Sequence, residues 1–157
     1  LKYLGRYEDS RKTLFSDIES YVHSMWADSR IHFFAIHSIA DDSFIGTAKI
    51  NFVGDLGLRT LTADIGIMIG EKSAWGKGLA TETLSIICKH SFNNLKARKL
   101  TAGMMSENIA MVKAFKKIGF VEEGRLRKRN LVGKKYCDHI LLGCFAEELK
   151  KFELGSL

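Results

Sequence analysis

The stretch Gly70–Glu82 places two closely spaced glycines, a lysine and a threonine at a predicted junction between a strand and a helix. Gly76 and Gly78 permit a tight turn and a close approach of the backbone to a ligand. The first amides of the following helix have no partners within the helix and carry the positive end of its dipole, so they form an anion site. Thr81 adds a hydroxyl donor and Lys77 adds a positive charge. The stretch therefore predicts a loop that binds a phosphorylated ligand.

Two common nucleotide-binding motifs do not fit this loop. A Walker A loop requires G-x-x-x-x-G-K-[ST], but one residue too many separates Gly70 from Gly76, and Gly78 stands where Ser or Thr is required. The dinucleotide fingerprint G-x-G-x-x-G lacks its third glycine, because Thr81 occupies that position. A glycine-rich turn before a helix, without any ligand, stays open as the alternative on composition alone.

Hydrophobic periodicity predicts the elements that position this loop. The predicted helices cover residues 12–27, 80–93 and 108–118, and the predicted strands cover residues 31–38, 43–53, 61–69, 99–105, 120–127 and 136–145. A loop is expected at 54–57, and Gly119 is expected to end the third helix in a left-handed conformation. This order predicts an α/β fold, in which one mixed sheet forms a three-layer α/β/α single domain over residues 1–157.

Composition narrows the class of protein. A chain of 157 residues buries a core without disulfide or metal staples. Its cysteines, Cys88, Cys137 and Cys144, are odd in number and form no C-x-x-C pair, which favours a reducing compartment and a cytoplasmic location. The five histidines lack ligand spacing, so no metal is expected. No apolar run reaches the length of a membrane span, so no membrane partner is expected.

The net charge of +6 attracts polyanions. Six basic residues surround the predicted hairpin near Gly133, namely Arg125, Arg127, Lys128, Arg129, Lys134 and Lys135. They could bind nucleic acid or a ribosomal surface. No interleaved aromatic residues or groove-reading helix accompany them, so a solvated hairpin tip is favoured and nucleic acid is not expected as a partner.

Three motifs, in order along the chain, resemble those of the GNAT superfamily of N-acetyltransferases. Trp75–Glu82 resembles the acetyl-CoA signature, most closely that of the RimJ/RimL-type branch, where a tryptophan often opens the pattern. Asn108–Phe120 resembles the second family motif, N-x-x-S-x-x-x-x-x-K-x-G-F. Glu123–Arg127, followed by Gly133–Asp138, resembles the family ending EG-x-x-R … G-x-x-x-D. The resemblance runs from about residue 13 to residue 149.

The resemblance implies a GNAT-like fold whose central mixed sheet splays, with acetyl-CoA in the gap as co-substrate. It implies an N-acetyltransferase that moves the acetyl group to a primary amine by direct attack in a ternary complex. The acceptor could be a protein N-terminus, an amino sugar or another small amine such as a polyamine, which the basic charge of the protein only weakly disfavours. The first strand and helix of the family are expected to be lacking, and a homodimer stays open.

The resemblance also assigns cofactor contacts. The backbone of Ile67, Met68 and Ile69 is implied to pair with the pantetheine arm as an extra strand. The pyrophosphate is implied to rest on the loop residues Trp75, Gly76, Lys77, Gly78, Leu79, Ala80 and Thr81. The second motif contributes Asn108, Met111, Phe115 and Lys116. Asn108 has an alternative role as the N-cap of its helix.

Asp64 is the candidate general base, because it stands where GNAT enzymes often carry a glutamate. The alternative is an edge-of-strand carboxylate paired with a nearby Lys or Arg. Glu71, in the loop after the strand, is the second candidate, and its alternative is plain solvation.

The general acid is the point at which this sequence departs from the family. Phe115 and Met111 stand where family members often carry Tyr and Ser, and neither side chain can donate a proton. Either the thiolate leaves unassisted, or water helps, or Tyr136 or Cys137 reaches in from the last strand. The missing acid also motivates an alternative function, a catalytically degraded domain that binds acyl-CoA as a sensor.

Overall fold

The structure, a computed structural model, describes residues 15–53 and 60–150 of the chain. Three α-helices and six strands lie within these residues. In chain order they are α1 (Phe15–Ala27), β1 (Ile31–His37), β2 (Phe44–Val53), β3 (Thr62–Ile69), α2 (Leu79–Asn93), β4 (Lys99–Met105), α3 (Ile109–Lys117), β5 (Val121–Val132) and β6 (Lys135–Phe145). The strands lie in the order β1-β2-β3-β4-β6-β5, and all neighbours are antiparallel except the parallel pair β3–β4. The predicted mixed sheet is confirmed.

The predicted elements match these bounds closely, with one informative difference. The strand predicted to end at Arg127 continues as β5 to Val132. Lys128 adopts a positive φ of 52°, and its amide donates to the Asp138 carboxylate at 2.9 Å. Pairing with β6 stops after Leu126 and resumes at Asn130, so the residues between them form a bulge in β5.

Three expectations fall outside the described residues. They are the start of the first helix at 12–14, the loop at 54–57, and the absence of a strand and helix before the segment that opens this chain. Within the described residues, no helix is both long enough and apolar enough to cross a bilayer.

Helices cover both faces of the sheet. The Phe34 ring on β1 meets His90 of α2, with ring centroids 6.2 Å apart, while the adjacent Phe33 meets Tyr21 of α1 at 6.0 Å. Neighbouring residues of a strand point to opposite faces, so α1 and α2 lie on opposite sides. The three-layer α/β/α arrangement is therefore confirmed.

The main core lies between the sheet and the α2/α3 layer. Ile50, Leu100 and Leu142 from the strands are fully buried against Leu84 of α2 and against Ile118, the residue after α3. Each such burial stabilises the fold by about 1.5–3 kcal/mol. In contrast, α1 contains no buried residue, and its apolar side chains stay partly exposed over β1.

A tight turn after α3 sets the position of the helix. The Gly119 amide donates to the Lys116 carbonyl at 3.2 Å, and the Phe120 amide donates to the Phe115 carbonyl at 3.1 Å. These two bonds form a Schellman motif, and the Phe115 and Phe120 rings complete it with an edge contact at 4.9 Å. Gly119 has a positive φ of 114°, which confirms its predicted role at the end of the helix.

β3 and β4 diverge within the sheet. They pair at only three positions, where Thr62–Asp64 meets Lys99–Thr101. Beyond that point β3 stays paired with β2 and β4 stays paired with β6, so a space opens between Ile65–Ile69 and Ala102–Met105. We call this space the β3–β4 gap. Asp64 occupies the last paired position, at its closed end.

A glycine in β2 accommodates this divergence. The Met68 carbonyl oxygen occupies the place that a β-carbon on Gly46 would need. The far half of β3 therefore lies close against β2, on the side away from β4. Any larger residue at position 46 would push this part of β3 back toward the gap.

We expect Gly119→Ala to lower the free energy of unfolding by more than about 2 kcal/mol. A positive φ alone costs a non-glycine residue about 1–2 kcal/mol, and here the added β-carbon would also collide with the Glu148 carbonyl oxygen. Gly133→Ala is the matched control, because Gly133 has a φ of 61° and open space around its α-carbon. Urea unfolding measures both variants, and equal losses would contradict this account of the turn.

Candidate functional site

The loop between β3 and α2 presents unpaired amides. Gly76 and Gly78 both have φ of 76°, a value that other residues rarely adopt, and Gly78 is the N-cap of α2. Glu82 donates the first hydrogen bond of the helix, to the Gly78 carbonyl at 3.1 Å. The amides of Leu79–Thr81 therefore have no acceptor within the helix. An anion at this end would meet these donors and the positive end of the dipole of a 15-residue helix.

Side chains hold this loop against the strand. The Trp75 indole N–H donates to the Ile69 carbonyl at 2.9 Å, although the ring is 60% exposed. A Glu71 carboxylate oxygen accepts the Ser73 amide at 2.9 Å, which caps a short turn and lowers the pKa of Glu71. Glu71 is thus held ionised by a structural contact. Lys77 is exposed at the tip of the loop.

The predicted strand edge borders the β3–β4 gap. The Ile67 side chain packs against the core on the α2 face, whereas Met68 points to the other face and is 39% exposed. From Ile65 to Ile69, β3 has β2 on one side and no ladder with β4 on the other. An extended chain could enter here and pair as a strand.

The four residues predicted from the second motif lie in different environments. Asn108 is the N-cap residue of α3, as its alternative role requires, although its side chain makes no capping hydrogen bond. Met111 is half-buried and packs against the core. Phe115 is only 3% exposed and makes an edge contact with the Phe120 ring. Lys116 lies 3.4 Å from a Glu122 carboxylate oxygen. Contacts of these residues with a cofactor stay predictions.

A cavity of about 480 Å³ lies beside the closed end of the gap. Asp64 alternates with the core residues Ala63 and Ile65, so its side chain points to the face that α1 covers. The polar side chains that line the cavity are those of Asp64, Thr101, Glu123 and His139. We call it the Asp64 cavity.

Asp64 is a partly buried carboxyl without a close cation. Burial raises its pKa, which the charge of Lys49, a hydrogen bond from Thr101 and the charge of His139 partly oppose. The Thr101 hydroxyl donates to Asp64 at 3.3 Å. Among the described residues no ion pair within 4.0 Å includes Asp64, so the predicted alternative, a Lys or Arg partner, is not found there.

His139 belongs to the cavity, although its spacing along the chain did not single it out. Its Nδ1 lies 3.1 Å from the Asn130 side-chain oxygen. Burial and the charge of Arg129 lower its pKa, and Asp64 acts in the opposite direction. The signal in the sequence was a titratable residue directly before the apolar run that begins at Ile140, on the face opposite to its neighbour Asp138.

The structure does not bring the candidate acids to this site. Gly143 of β6 is level with Thr101 at the closed end of the gap. Tyr136 lies seven residues further along the strand, about 23 Å at 3.3 Å per residue, and is 69% exposed. Cys137 is buried beside it. Strand length thus separates Tyr136 from Asp64, and the role of Tyr136 or Cys137 as the acid for the thiolate stays a prediction.

One of the six basic residues near the hairpin, Arg125, is paired with acidic neighbours. Arg125 contacts a Glu122 oxygen at 3.0 Å and an Asp138 oxygen at 3.3 Å. Lys99 pairs with Glu123 at 2.7 Å on the wall of the Asp64 cavity. These contacts reduce the positive field that a nucleic acid would encounter.

Comparison with known proteins adds independent information. Residues 5–121 match the family model described as the acetyltransferase (GNAT) domain. The probable N-acetyltransferase YjcK of Bacillus subtilis (strain 168) is 31% identical over 125 residues, which cover 80% of this chain and 67% of that protein.

Solved structures agree on the fold. Spermidine N-acetyltransferase from Vibrio cholerae, in complex with CoA and spermine, matches with a TM-score of 0.78 and 21% identity over 94% of this chain and 82% of that one. At this identity the likeness establishes the fold alone. Mycobacterium smegmatis RimJ, in complex with CoA-disulfide, matches with a TM-score of 0.73 and 29% identity over 87% of this chain and 64% of that one.

The raised pKa of Asp64 predicts a gain in stability on its removal. The folded protein binds this proton more tightly than the unfolded chain, so the ionised carboxylate opposes folding at every pH above its folded pKa. We expect Asp64→Asn to raise the free energy of unfolding at pH 7. The gain should shrink as the pH falls through the folded pKa and vanish below the ordinary value of 3.8, where both states of the wild type are protonated.

Asp28→Asn is the control of opposite sign, because hydrogen bonds from Arg30 lower the pKa of Asp28 to about 2. Its removal should not stabilise the protein at pH 7. Urea titrations at several pH values measure both variants. A loss of stability in Asp64→Asn at pH 7 would show that the carboxylate is held by compensating contacts instead.

Proposed function

Because this chain belongs to the GNAT family of acetyltransferases, we propose that it transfers the acetyl group of acetyl-CoA to a primary amine, with Asp64 as the general base. The observation that carries the proposal is the position of Asp64, at the closed end of the β3–β4 gap and on the wall of a cavity that opens on the α1 face. This position lies where a thioester in the gap would meet an amine in the cavity.

The chain offers suitable groups for each part of acetyl-CoA. The unpaired amides of Leu79–Thr81 and the charge of Lys77 suit the pyrophosphate. The free edge of β3 at Ile67 and Met68 suits an extended pantetheine arm, whose amides can pair as a strand would. Asn108 has an uncommitted carboxamide at the start of α3. Acetyl-CoA supplies an acetyl group already activated as a thioester.

Asp64 suits the role of a base for a nitrogen that becomes acidic during attack. Its carboxylate is partly desolvated, which raises its pKa toward the working pH and strengthens it as a proton acceptor. Thr101 fixes the orientation of the carboxylate through the hydrogen bond at 3.3 Å. The amine nitrogen loses its proton to Asp64 as the new bond to the acetyl carbon forms.

The leaving thiolate needs little help from the protein. Thiols have a pKa near 8.5, so a CoA thiolate is stable enough to leave without a protein acid. Phe115 is buried against Phe120 and Met111 packs on the core, so neither position supplies a proton. Proton return to the thiolate then falls to water or to protonated Asp64.

The charges in the Asp64 cavity favour an acceptor with one cationic amine. Glu123 is compensated by Lys99 at 2.7 Å, which leaves Asp64 as the carboxylate available to an ammonium. The net charge of +6 also repels polycations. We therefore propose a protein N-terminus or a small monoamine. The likeness to RimJ supports a place in the RimJ/RimL-type branch.

We also propose a cytoplasmic location. All three cysteines of the chain are buried free thiols, which suits a reducing compartment.

A thiol-release assay tests the function. Purified protein with acetyl-CoA should release CoA in the presence of a short peptide with a free N-terminus or of glucosamine, and less readily with spermidine. Asp64→Asn should lower kcat/KM at least about 100-fold, because general bases contribute 10²–10⁴-fold. Asp28→Asn serves as the control. If no amine promotes CoA release although acetyl-CoA binds tightly, the chain is an acyl-CoA sensor and the enzymatic proposal fails.

A charge placed at the helix start tests the cofactor loop. Gly78→Asp would set a carboxylate among the amides proposed for the pyrophosphate, and we expect the Kd for acetyl-CoA to rise at least about tenfold, which corresponds to 1.4 kcal/mol. Gly78→Asn is the matched control, since it brings the same shape and the same φ strain without the charge. Calorimetry measures both, and equal affinities for the two variants would count against the loop assignment.

A further inference from the structure

His139 on β6 has one ring nitrogen committed and one free. The Asn130 side-chain oxygen, 3.1 Å from Nδ1, can only accept, so Nδ1 carries the hydrogen and donates it. The Nε2 lone pair is then left without that proton. A neutral imidazole with Nδ1 tied to a fixed acceptor is the arrangement of an oriented proton acceptor.

The free nitrogen of His139 lies over Gly103, and both residues line the Asp64 cavity. A β-carbon at Gly103 would stand 2.6 Å from Nε2, so the imidazole lies over this glycine and uses the space that a side chain would fill. Gly103 belongs to the part of β4 that has separated from β3. His139 and Asp64 therefore line one cavity, with Nε2 at the β4 wall of the gap and the carboxylate at its closed end.

Charged groups on four other strands surround the cavity that His139 lines. They are Lys49 of β2, Asp64 of β3, Lys99 of β4, and Glu123 and Arg129 of β5. Burial and Arg129 lower the pKa of His139 below 6.5, against the opposing effect of Asp64. The imidazole is consequently neutral at pH 7 and can accept a proton.

Acetylation of an amine requires two deprotonations. The acceptor arrives as an ammonium ion and must lose one proton before its nitrogen has a lone pair to attack with. The nitrogen then forms its bond to the acetyl carbon, the carbon–sulfur bond breaks, and the nitrogen must lose a second proton to become an amide. A single carboxylate accepts only one proton at a time.

We propose that His139, oriented by Asn130, accepts the first of these protons at Nε2, and that Asp64 accepts the second. The inference rests on the proposed acetyl transfer to an amine. The proton on His139 passes to solvent, and the proton on Asp64 returns to the CoA thiolate, so each turnover releases one proton overall. His139 is in this sense a catalytic residue, and Asn130 is a positioning residue.

The pH profile of kcat/KM separates this role from a structural one. We expect the wild type to lose activity on the acidic side as His139 becomes protonated, at a pH below 6.5. His139→Gln should lower kcat/KM about 100-fold at pH 7 and abolish the loss of activity caused by protonation of His139. Only the loss caused by protonation of Asp64 should then remain in the pH profile. His90→Gln is the matched control, because His90 lies on α2 at the other face of the sheet.

Asn130→Asp provides a second variant that keeps the shape of the site. A carboxylate 3.1 Å from Nδ1 would stabilise the imidazolium, so the acidic limb should move up by about one pH unit or more. The ring signals of His139 in an NMR titration should move by the same amount, which gives a readout that does not depend on turnover.

Three results would overturn the proposal. The first is a wild-type kcat/KM in a folded His139→Gln protein. The second is an acidic limb that stays in place in Asn130→Asp although the NMR titration of His139 moves. The third is an NMR titration of His139 that is the same in Asn130→Asp as in the wild type. Absence of CoA release by the wild type with every amine would overturn acetyl transfer itself, and the wild-type assay therefore distinguishes the two failures.

Discussion

The early separation of β3 and β4 is the constraint on which the rest of the molecule depends. Interrupting a ladder in the middle of a sheet leaves backbone donors and acceptors without partners, which is costly unless something else pairs with them. The sheet tolerates the break because each strand keeps its other neighbour, β2 or β6, along its full length. The absence of a side chain on Gly46 lets β3 lie close to β2 where it has left β4.

This separation also divides the chemistry between the two faces of the sheet. The loop amides at Leu79–Thr81 belong to the start of α2, on one face, and favour an anion. The carboxylate of Asp64 faces the other side, toward α1, and favours a cation, whereas the nearby Glu123 is already paired with Lys99. In the proposed reaction, an anionic cofactor and an ammonium acceptor would approach from opposite sides and meet at the closed end of the gap.

The helices and strands of this fold could be predicted from the sequence. Strand and helix periodicity, together with the chain order, predicted the three layers, and Gly119 marked the end of α3 because its backbone conformation suits glycine alone. The loop at Gly76 and Gly78 was equally visible, since its chemistry depends on backbone amides and on consecutive residues. Asp64 was predicted from the motif resemblance, because it stands where GNAT enzymes often carry a glutamate, and its role as the base stays a proposal.

Tertiary structure alone decided how side chains distant in the sequence meet. Asp64 on β3 and His139 on β6 share a cavity because β4 lies between their strands, and that strand order is not encoded in local periodicity. Tyr136 lies on the expected strand, β6, but far along that strand from Asp64. Only the register of β4 with β6 fixes the distance between the two residues. Local patterns report which face a residue occupies, whereas register and strand order determine its neighbours across the sheet.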